Sequence, residues 1–415
     1  MDLDILQKLE NELPLTLRNR LDQAAAKIIQ AKKRGGKVAV VTGSGPNIHE
    51  GVTTLIAELI RIGLIDGVTT SSAVVAHEMA GSLDRVKRIS GLAMGIDPGL
   101  LPRGGDFELT EMDDAALHEI GAMIPVDQAL IDRMKRADGK TIIKAAGNLG
   151  YPMGLWIESL TKEILSLAQV HKLSFEQMVG LGSDDRTMIG IGAQTGVPVL
   201  VTIPQLIGGG SVGLAIGDSI SIAERASRVA HLLDDADVII ESGVALTQEI
   251  HDGPFETYTG HGMWSAWNGD FTYSLQNKSL IRIDLDPSLE RVWEIEHSDG
   301  EVQSAISEGL PKTKLFNVPF RMEMSGFARI EGSLPLIGDL GVIWPLLIRR
   351  VAEAMSLPLQ FMSYPQQSEK GMLMREYIVR EIKPVSRARM LEHLHSLTHK
   401  AGTADPAPTT ISARG

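Results

Sequence analysis

The stretch KVAVVTGSGPNIHEGVTTLIAELIRIGL, residues 37–64, decides the fold class. It begins as an unbroken run of valine and alanine, passes through the glycine-rich turn TGSG, and continues with apolar residues at helical spacing. Strands without polar alternation are typical of parallel sheets that are covered on both faces. The stretch therefore predicts one strand–turn–helix unit of an α/β fold.

The same pattern recurs in five further segments of the chain. They are GVTTSSAVVAHEMAGSL (67–83), GKTIIKAAGNL (139–149), GVPVLVTIPQLIGGG (196–210), ADVIIESGVAL (236–246) and SLIRIDLDP (279–287). Strands that alternate with helix-length segments are joined by crossover helices, which build a parallel sheet. We therefore expect an α/β fold with a doubly wound, mostly parallel nucleotide-binding sheet. N-terminal helices precede it, and their spacing breaks near Pro14.

Changes in composition divide the chain into four predicted parts. These are an N-terminal helical segment (1–35), a sheet domain (36–360), a charged helical extension (361–400) and a disordered tail (401–415). Within the sheet domain, residues 90–140 hold two pieces rich in glycine and proline and predict an insertion with long loops. The tail lacks apolar periodicity, so it has no surface with which to join a core.

The composition excludes several classes of function. A formal charge of −12, from 40 basic and 52 acidic side chains, repels nucleic acid and anionic membranes, so we expect neither as a partner. The absence of cysteine excludes disulfides, thiolate metal sites and a cysteine nucleophile. The acidic start is not a signal peptide, and no apolar run reaches the roughly 18–20 residues of a membrane helix. We therefore expect a cytoplasmic protein that binds a small molecule.

The glycine turn after the first strand is a candidate ligand site, because α/β sheets bind ligands beyond the carboxyl ends of their strands. It consists of Thr42, Gly43, Ser44 and Gly45. Two glycines allow close backbone approach, and the N-terminus of the following helix attracts a phosphate. The turn matches neither the G-x-G-x-x-G fingerprint nor a Walker loop, so ligand contact and a plain tight turn are both open.

Two other loops follow predicted strands. Thr69, Thr70 and Ser71 present hydroxyl groups, which contact a ligand or cap a helix. Three consecutive glycines in residues 203–218 cost backbone entropy, which favours a ligand over a plain loop. The cluster at 184–186, Asp-Asp-Arg, anchors a charged substrate or forms a local ion pair at a helix cap.

Titratable side chains are concentrated just past the apolar strand that contains Val238, Ile239 and Ile240. Glu241 follows this apolar run directly, and Glu249, His251, Asp252 and His261 come after it. Histidine titrates near neutral pH, so His251 suits a general base that Asp252 or Glu249 orients. The nearby Trp264 and Trp267 form a pocket wall or fill the core.

Two further histidines stand beside an acid after predicted strands, in the pairs His49–Glu50 and His77–Glu78. The pairs act as separate acid/base groups, or together they ligate a divalent metal ion. No pair has the H-E-x-x-H spacing that places two ligands on one helix face, so we assign no metal site.

Five segments together resemble deoxyhypusine synthase and its relatives in order and spacing, over residues 37–355. They are TGSG (42–45), IDGVTTSSA (65–73), VPVLVTIPQLIGGGSVG (197–213), VIIESGVALTQE (238–249) and DLGVIWPLL (339–347). The family has a nucleotide-binding sheet, binds NAD and forms tetramers whose active sites lie between subunits. The resemblance implies a homotetramer here. It also implies NAD contacts at Thr42, Ser44, Thr69, Thr70, Ser71, Ser242, Gly243 and Asp339.

The sequence departs from that family at the positions that carry its reaction. Thr247 stands where the family has its imine-forming lysine, and a threonine cannot form a Schiff base. Val75 and Ala76 replace a pair of glutamates that would bind a polyamine, and Leu214 replaces an aspartate. The chain is therefore not expected to be a true deoxyhypusine synthase.

These observations lead to one main hypothesis and two alternatives. The main hypothesis is an NAD-using enzyme that acts on a small polar metabolite, an amine or an amino acid. In it, His251, Asp252, Glu249, His77 and Glu78 are the catalytic candidates, and Glu241, His261, Trp264 and Trp267 bind the substrate. The alternatives are a metal-dependent hydrolase or lyase and a nucleotide-binding protein without catalysis.

Overall fold

The computed structural model describes residues 1–123, 125, 127–147, 152–202, 204–205, 208–243, 255–256, 272–310, 317–318 and 326–402. Its helices are α1 (Leu3–Glu12), α2 (Leu15–Lys33), α3 (Pro46–His49), α4 (Val52–Arg61), α5 (Ser72–Met79), α6 (Asp114–Met123), α7 (Gln128–Arg136), α8 (Pro152–His171), α9 (Phe175–Gly182), α10 (Met188–Thr195), α11 (Gly210–Ser219), α12 (Ile222–Asp235), α13 (Ser288–Asp299), α14 (Glu301–Ser307), α15 (Leu340–Met355), α16 (Glu369–Glu381) and α17 (Arg387–Gly402). Its strands are β1 (Lys37–Thr42), β2 (Gly67–Thr70), β3 (Leu83–Ser90), β4 (Asp106–Thr110), β5 (Gly139–Ala145), β6 (Val199–Val201), β7 (Ala236–Ser242), β8 (Phe255–Glu256), β9 (Thr272–Tyr273), β10 (Ser279–Asp284) and β11 (Ser333–Ile337).

Six parallel strands form the central sheet, in the spatial order β11-β10-β7-β1-β2-β6. Numbered by their order along the chain, these strands run 6-5-4-1-2-3, which is the order of a dinucleotide-binding α/β sheet read from its other edge. The chain therefore winds outward from β1 to one edge and then returns to begin again at β7. The predicted doubly wound parallel sheet is confirmed.

Alternate residues of each strand enter two different cores. Val38 and Val40 of β1 pack in a core with α2, α4 and α15, whereas Ala39 and Val41 pack in a second core with α12 and α13. All four side chains are at most 2% exposed. A strand whose two faces are both buried needs apolar residues without alternation, which explains the pattern of the sequence.

One predicted strand joins a different sheet. Residues 139–145 form β5, which pairs antiparallel with β3 in a small sheet of order β4-β3-β5, so the expectation of a parallel strand is wrong. The reason is polarity. The first half of β5, with Lys140, is exposed and the second half is only half-buried up to Lys144, which lies opposite Asp84 of β3. The expected insertion at 90–140 contains β4, α6 and α7 beside this sheet.

The single helix expected after β1 is divided in two. Its first part is the short α3, and α4 begins after Gly51, whose φ of +69° is the left-handed conformation that favours glycine. A Cβ atom at Gly51 would lie 2.6 Å from the Sδ atom of Met374 in α16. The division therefore lets the C-terminal helix α16 pack closely against the loop that follows β1.

Helices also stand at both ends of the described chain, as the sequence predicts. Pro14 separates α1 from α2, and α16 and α17 occupy the charged C-terminal segment. Among the helices of the described ranges, none is both long and apolar enough to cross a membrane.

Candidate functional site

The carboxyl ends of β1 and β7 form the centre of the candidate site. The two strands are neighbours, with Thr42 opposite Ser242, but they lead in opposite directions across the sheet. β1 continues to β2 on one side, whereas β7 continues to β10 on the other. Loops diverge at such a point and leave a crevice, which is where open α/β sheets bind ligands.

A buried chain of hydrogen bonds fixes the two loops at this crevice. The indole Nε1 of Trp344 donates to the hydroxyl of Ser242 over 2.7 Å, and that hydroxyl donates to the side-chain oxygen of Asn47. The amide nitrogen of Asn47 donates in return to the backbone oxygen of Ser242 over 3.0 Å. The Ser242 hydroxyl, predicted as a cofactor contact, thus bonds within the protein and holds the loop after β1 against β7.

The glycine turn after β1 leaves space beside its backbone. Gly45 has a φ of +64°, and no atom lies within 4 Å of the place that a Cβ atom would take. Gly243, which follows β7, also has a positive φ, +67°, and a Cβ atom there would lie 3.4 Å from Leu340. Thr42 and Gly43 are buried, and Ser44 is half-buried. The two glycines therefore line the crevice with bare backbone.

Three buried hydroxyl groups lie at the ends of the next two strands. The side-chain oxygens of Thr69, Thr70 and Thr202 have no hydrogen-bond partner among the residues that the structure describes. Thr69 and Thr70 end β2, and Thr202 follows the neighbouring β6. Ser71 caps α5 by accepting from the backbone N–H of Val74, which is the helix-cap alternative of the sequence analysis. The three threonines can bond to a polar ligand at this edge.

His77 is held in one orientation by the backbone. Its ring nitrogen Nδ1 bonds to the carbonyl oxygen of Ala146, just beyond the end of β5. A carbonyl only accepts hydrogen bonds, so Nδ1 carries the proton of the neutral ring and Nε2 is the acceptor. Burial lowers the pKa of His77, which keeps the ring neutral. His77 is therefore set up to accept a proton at Nε2.

Glu78, the neighbour of His77, binds the start of a helix. Its two carboxylate oxygens accept from the backbone N–H groups of Met188 and Ile189, at 2.9 and 3.0 Å, in the first turn of α10. Burial raises the pKa of Glu78 to about 7 in spite of these two bonds. Both oxygens are occupied, and the group that orients His77 is the Ala146 carbonyl rather than this acid.

His49, at the end of α3, lies in a cluster of basic groups. The guanidinium nitrogen Nη2 of Arg375, from α16, is 3.4 Å from Nδ1 of His49. The pKa of His49 is lowered to about 4, mainly by burial and next by the positive charge of Arg375, with a smaller contribution from Lys144. The His49 ring is thus neutral at neutral pH, with Nδ1 facing a donor and Nε2 carrying the proton.

Glu50, which follows His49, holds the segment that leads into α16. Its two oxygens accept from the backbone N–H and the side-chain amide of Gln366, both over 2.7 Å. Burial raises the pKa of Glu50, and the charge of Asp339 adds to this effect. Asp339, a predicted cofactor contact, caps α15 through the backbone N–H of Gly341. Both carboxylates thus position backbone at the rim of the crevice.

Glu241, a predicted substrate contact, lies inside the sheet. It is 1% exposed, and its carboxylate is 3.5 Å from the guanidinium of Arg282 on the neighbouring strand β10. Arg282 also pairs with Asp284 over 3.1 Å. Two buried carboxylates share one guanidinium below the crevice, so Glu241 interacts with the protein here.

Six predicted site residues lie outside the described residues: Glu249, His251, Asp252, His261, Trp264 and Trp267. Within the described ranges, no three histidine, aspartate or glutamate side chains lie close enough to hold a metal ion. In the 184–186 cluster, Asp184 forms a local ion pair with Arg186 over 3.4 Å and accepts from the backbone N–H groups of Arg186 and Lys383, while Thr187 caps α10.

The basic residues of the cluster were not predicted from the sequence. Arg375 is 326 positions after His49, in a charged helix whose pattern resembles a solvated surface. Lys144 was assigned to a strand of the wrong sheet. The one sequence feature that indicated this basic cluster was the position of His49 beside an acid after a predicted strand.

No protein-family model matches the chain. A stretch of 90 residues is 31% identical to an ornithine cyclodeaminase of Methanothermobacter thermautotrophicus, and it makes up 22% of this chain and 20% of that protein. The chain therefore matches only about a fifth of the length of this curated relative.

Several solved structures resemble the chain at low sequence identity. A LOR/SDH protein of Methanococcus maripaludis S2 is 13% identical, with a TM-score of 0.41, over 83% of this chain and 72% of that one. AgrE in complex with ornithine and NAD+ is 14% identical, with a TM-score of 0.40, over 82% of this chain and 34% of that one. ArgZ, a cyanobacterial arginine dihydrolase, is 13% identical, with a TM-score of 0.39, over 80% of this chain and 31% of that one. The chain is thus similar to parts of these proteins, and similarity at this level does not identify a shared activity.

Proposed function

We propose that the protein is an NAD-using enzyme that converts a small amino acid in the crevice between β1 and β7. The observation that carries this proposal is the strand order, in which the chain reverses direction between these two strands. A crevice at this position, with a glycine turn beyond β1, suits a dinucleotide. The basic cluster around His49 supplies groups for chemistry beside it.

The residues at the crevice fit such a cofactor. Gly45 leaves its side of the turn open, and Gly243 brings bare backbone to the end of β7. The hydroxyls of Thr69, Thr70 and Thr202 are buried and have no partner within the described ranges, as expected of groups that bond to a polar ligand. These residues would hold the nucleotide, together with the backbone of Thr42, Gly43 and Ser44.

Two histidines would handle protons on the substrate. NAD, when bound, takes up and returns a hydride. His77 accepts a proton at Nε2, because its bond to Ala146 fixes the proton on Nδ1. His49 presents an N–H group at Nε2, because its Nδ1 faces Arg375. One ring thus removes a proton while the other donates a hydrogen bond.

The amino-acid substrate is supported by the matching relative. Its name, ornithine cyclodeaminase, describes an enzyme that removes ammonia from an amino acid. Of the two substrate classes that the sequence suggested, an amine or an amino acid, we therefore propose the amino acid. We also keep three predictions as proposals. His251 is a base that Asp252 or Glu249 orients, and Trp264 and Trp267 form a pocket wall. The assembly is a homotetramer.

Two measurements test the proposal. Mass spectrometry of the purified protein should detect bound NAD or NADH, and added NAD should raise the melting temperature. The protein should then release ammonia from at least one of ornithine, lysine and arginine when NAD is present. A protein that binds NAD but turns over no metabolite of a cell extract is a nucleotide-binding protein without catalysis. A protein that neither carries NAD nor responds to it contradicts the proposal.

A further inference from the structure

Arg375 has no carboxylate partner among the residues that the structure describes. Its Nη2 donates to the backbone oxygen of Ile143 and approaches His49, and its Nε is buried without an acceptor. The next residue on the helix, Glu376, pairs with Arg85 instead. A half-buried guanidinium without a counter-ion is unfavourable unless an anion joins it.

The nearby acids are turned toward other groups. Both oxygens of Glu50 accept from Gln366, so this carboxylate acts on the pKa of Arg375 only through its charge and forms no ion pair with the guanidinium. Glu108 pairs with Lys144 over 2.7 Å. The single positive charge of Arg375 is therefore left for a ligand.

The positive charge of Arg375 affects the pKa of the neighbouring His49. Arg375 is the first charged group that lowers the pKa of His49, after burial itself. A carboxylate that binds Arg375 would remove that repulsion and raise the pKa of His49 again. A guanidinium presents parallel N–H groups whose spacing matches the two oxygens of a carboxylate.

We infer that Arg375 binds the carboxylate of the substrate and so selects amino acids over the corresponding amines. The inference rests on the proposed function, because it assigns part of the proposed substrate. A carboxylate at this position would lie beside His49, which places the α-carbon of an amino acid near the histidine cluster. Arg375 is then the residue that decides specificity for the acid group.

Binding of three matched pairs to the NAD-loaded protein tests the inference. The pairs are L-ornithine with putrescine, L-lysine with cadaverine, and L-arginine with agmatine, each differing by one carboxylate. For the pair that binds, the wild-type protein should prefer the amino acid, and Arg375→Gln should reduce that preference roughly 10- to 100-fold, the worth of a charged hydrogen bond. Arg85→Gln, which removes the exposed neighbouring arginine, should leave the preference unchanged.

A second measurement does not depend on the substrate. Acetate should raise the pKa of His49 in NMR titrations of the wild-type protein and of Arg85→Gln, but not of Arg375→Gln. Should Arg375→Gln not fold, Arg375→Lys is the second variant, because lysine keeps the positive charge but has no pair of parallel N–H groups. It should lose part of the preference for the amino acid and part of the acetate effect on His49.

Three results would overturn the inference. The first is an unchanged preference for the amino acid in a folded Arg375→Gln protein. The second is a loss of NAD affinity in that variant, since it would assign Arg375 to a cofactor phosphate. The third is the absence of any acetate effect on His49 in the wild-type protein. Failure to bind any of the six compounds, with an acetate effect intact, would instead count against the proposed function.

Discussion

Arg375 Nη2 lies 3.4 Å from His49 Nδ1, and this contact joins the loop after the first strand to the helix α16. Arginine stays protonated in proteins, so the contact opposes a second positive charge on the imidazole. His49 is therefore a neutral hydrogen-bonding group at the pH at which most histidines begin to titrate.

NMR titration should give a pKa of about 4 for His49, and Arg375→Gln should raise this value. The rise should be partial, because burial is the largest cause of the lowered pKa and remains in the variant. Since the pKa in the folded state is below that of the unfolded chain, His49 contributes stability above pH 6.5 that is lost as the pH falls toward 4. His49→Asn should reduce this loss. A His49 that titrates near its ordinary pKa would contradict the contact.

Gly45→Ala should weaken NAD binding at least tenfold, because the new side chain would occupy the open space at the crevice. Gly35→Ala is the matched control, since Gly35 also has a positive φ, +78°, and open space, but lies at the opposite end of β1. Both variants should lose roughly 1 kcal/mol of stability through backbone strain. Equal NAD affinity in the two proteins, measured by calorimetry, would show that the turn does not contact the cofactor.

Ser242→Ala should destabilise the protein by about 1–3 kcal/mol, because Trp344 and Asn47 each lose a buried hydrogen-bond partner. The exposed Ser298 provides the control, and Ser298→Ala should change the free energy of unfolding by less than about 0.5 kcal/mol. Urea denaturation measures both. Loss of NAD affinity with unchanged stability would instead identify the Ser242 hydroxyl as a cofactor contact.

His77→Asn should lower turnover by roughly 10²- to 10⁴-fold, the usual worth of a positioned base. The amide nitrogen of asparagine can still donate to Ala146, so the fold should be retained while the acceptor at Nε2 is lost. Thermal denaturation checks the fold, and release of ammonia measures the turnover. Full activity in this variant would leave His251 as the proposed base.

Light scattering should give a homotetramer near four times 44.9 kDa. The expectation comes from the family resemblance and from the sequence around Trp264 and Trp267, since large aromatic residues that are exposed on a monomer usually mark an interface. Replacing both tryptophans with serine should shift the population toward smaller species. A single 45 kDa species of the wild-type protein at working concentration would refute the tetramer.

Local patterns in the sequence were sufficient to predict most of the central sheet. Strand β1 is buried on both faces, so its unbroken apolar run follows directly from its environment. The pattern failed for β5, whose apolar centre looked like a buried strand although Ile142 and Ile143 are only half-buried and Lys140 is exposed. Strand β11 was not predicted because Pro335 lies within it, and proline is tolerated there because β11 is an edge strand.

The candidate site was harder to predict, because it depends on contacts between distant parts of the chain. His77 was identified by its position after a strand, but its partner is a backbone carbonyl that no sequence pattern marks. Glu78 was a catalytic candidate, yet its carboxylate bonds to the backbone at the start of α10. The resemblance to deoxyhypusine synthase is not tested by any of these contacts and stays a prediction.

The position of Arg375 has a consequence for protein synthesis. The ribosome makes about 5–20 residues per second, so α16 follows the loop after β1 by tens of seconds. During that interval the nascent chain displays the loop without the helix that covers Gly51 and faces His49. A nascent chain that stops before α16 therefore lacks the contact between Arg375 and His49, and the loop after β1 is completed only when this late helix docks.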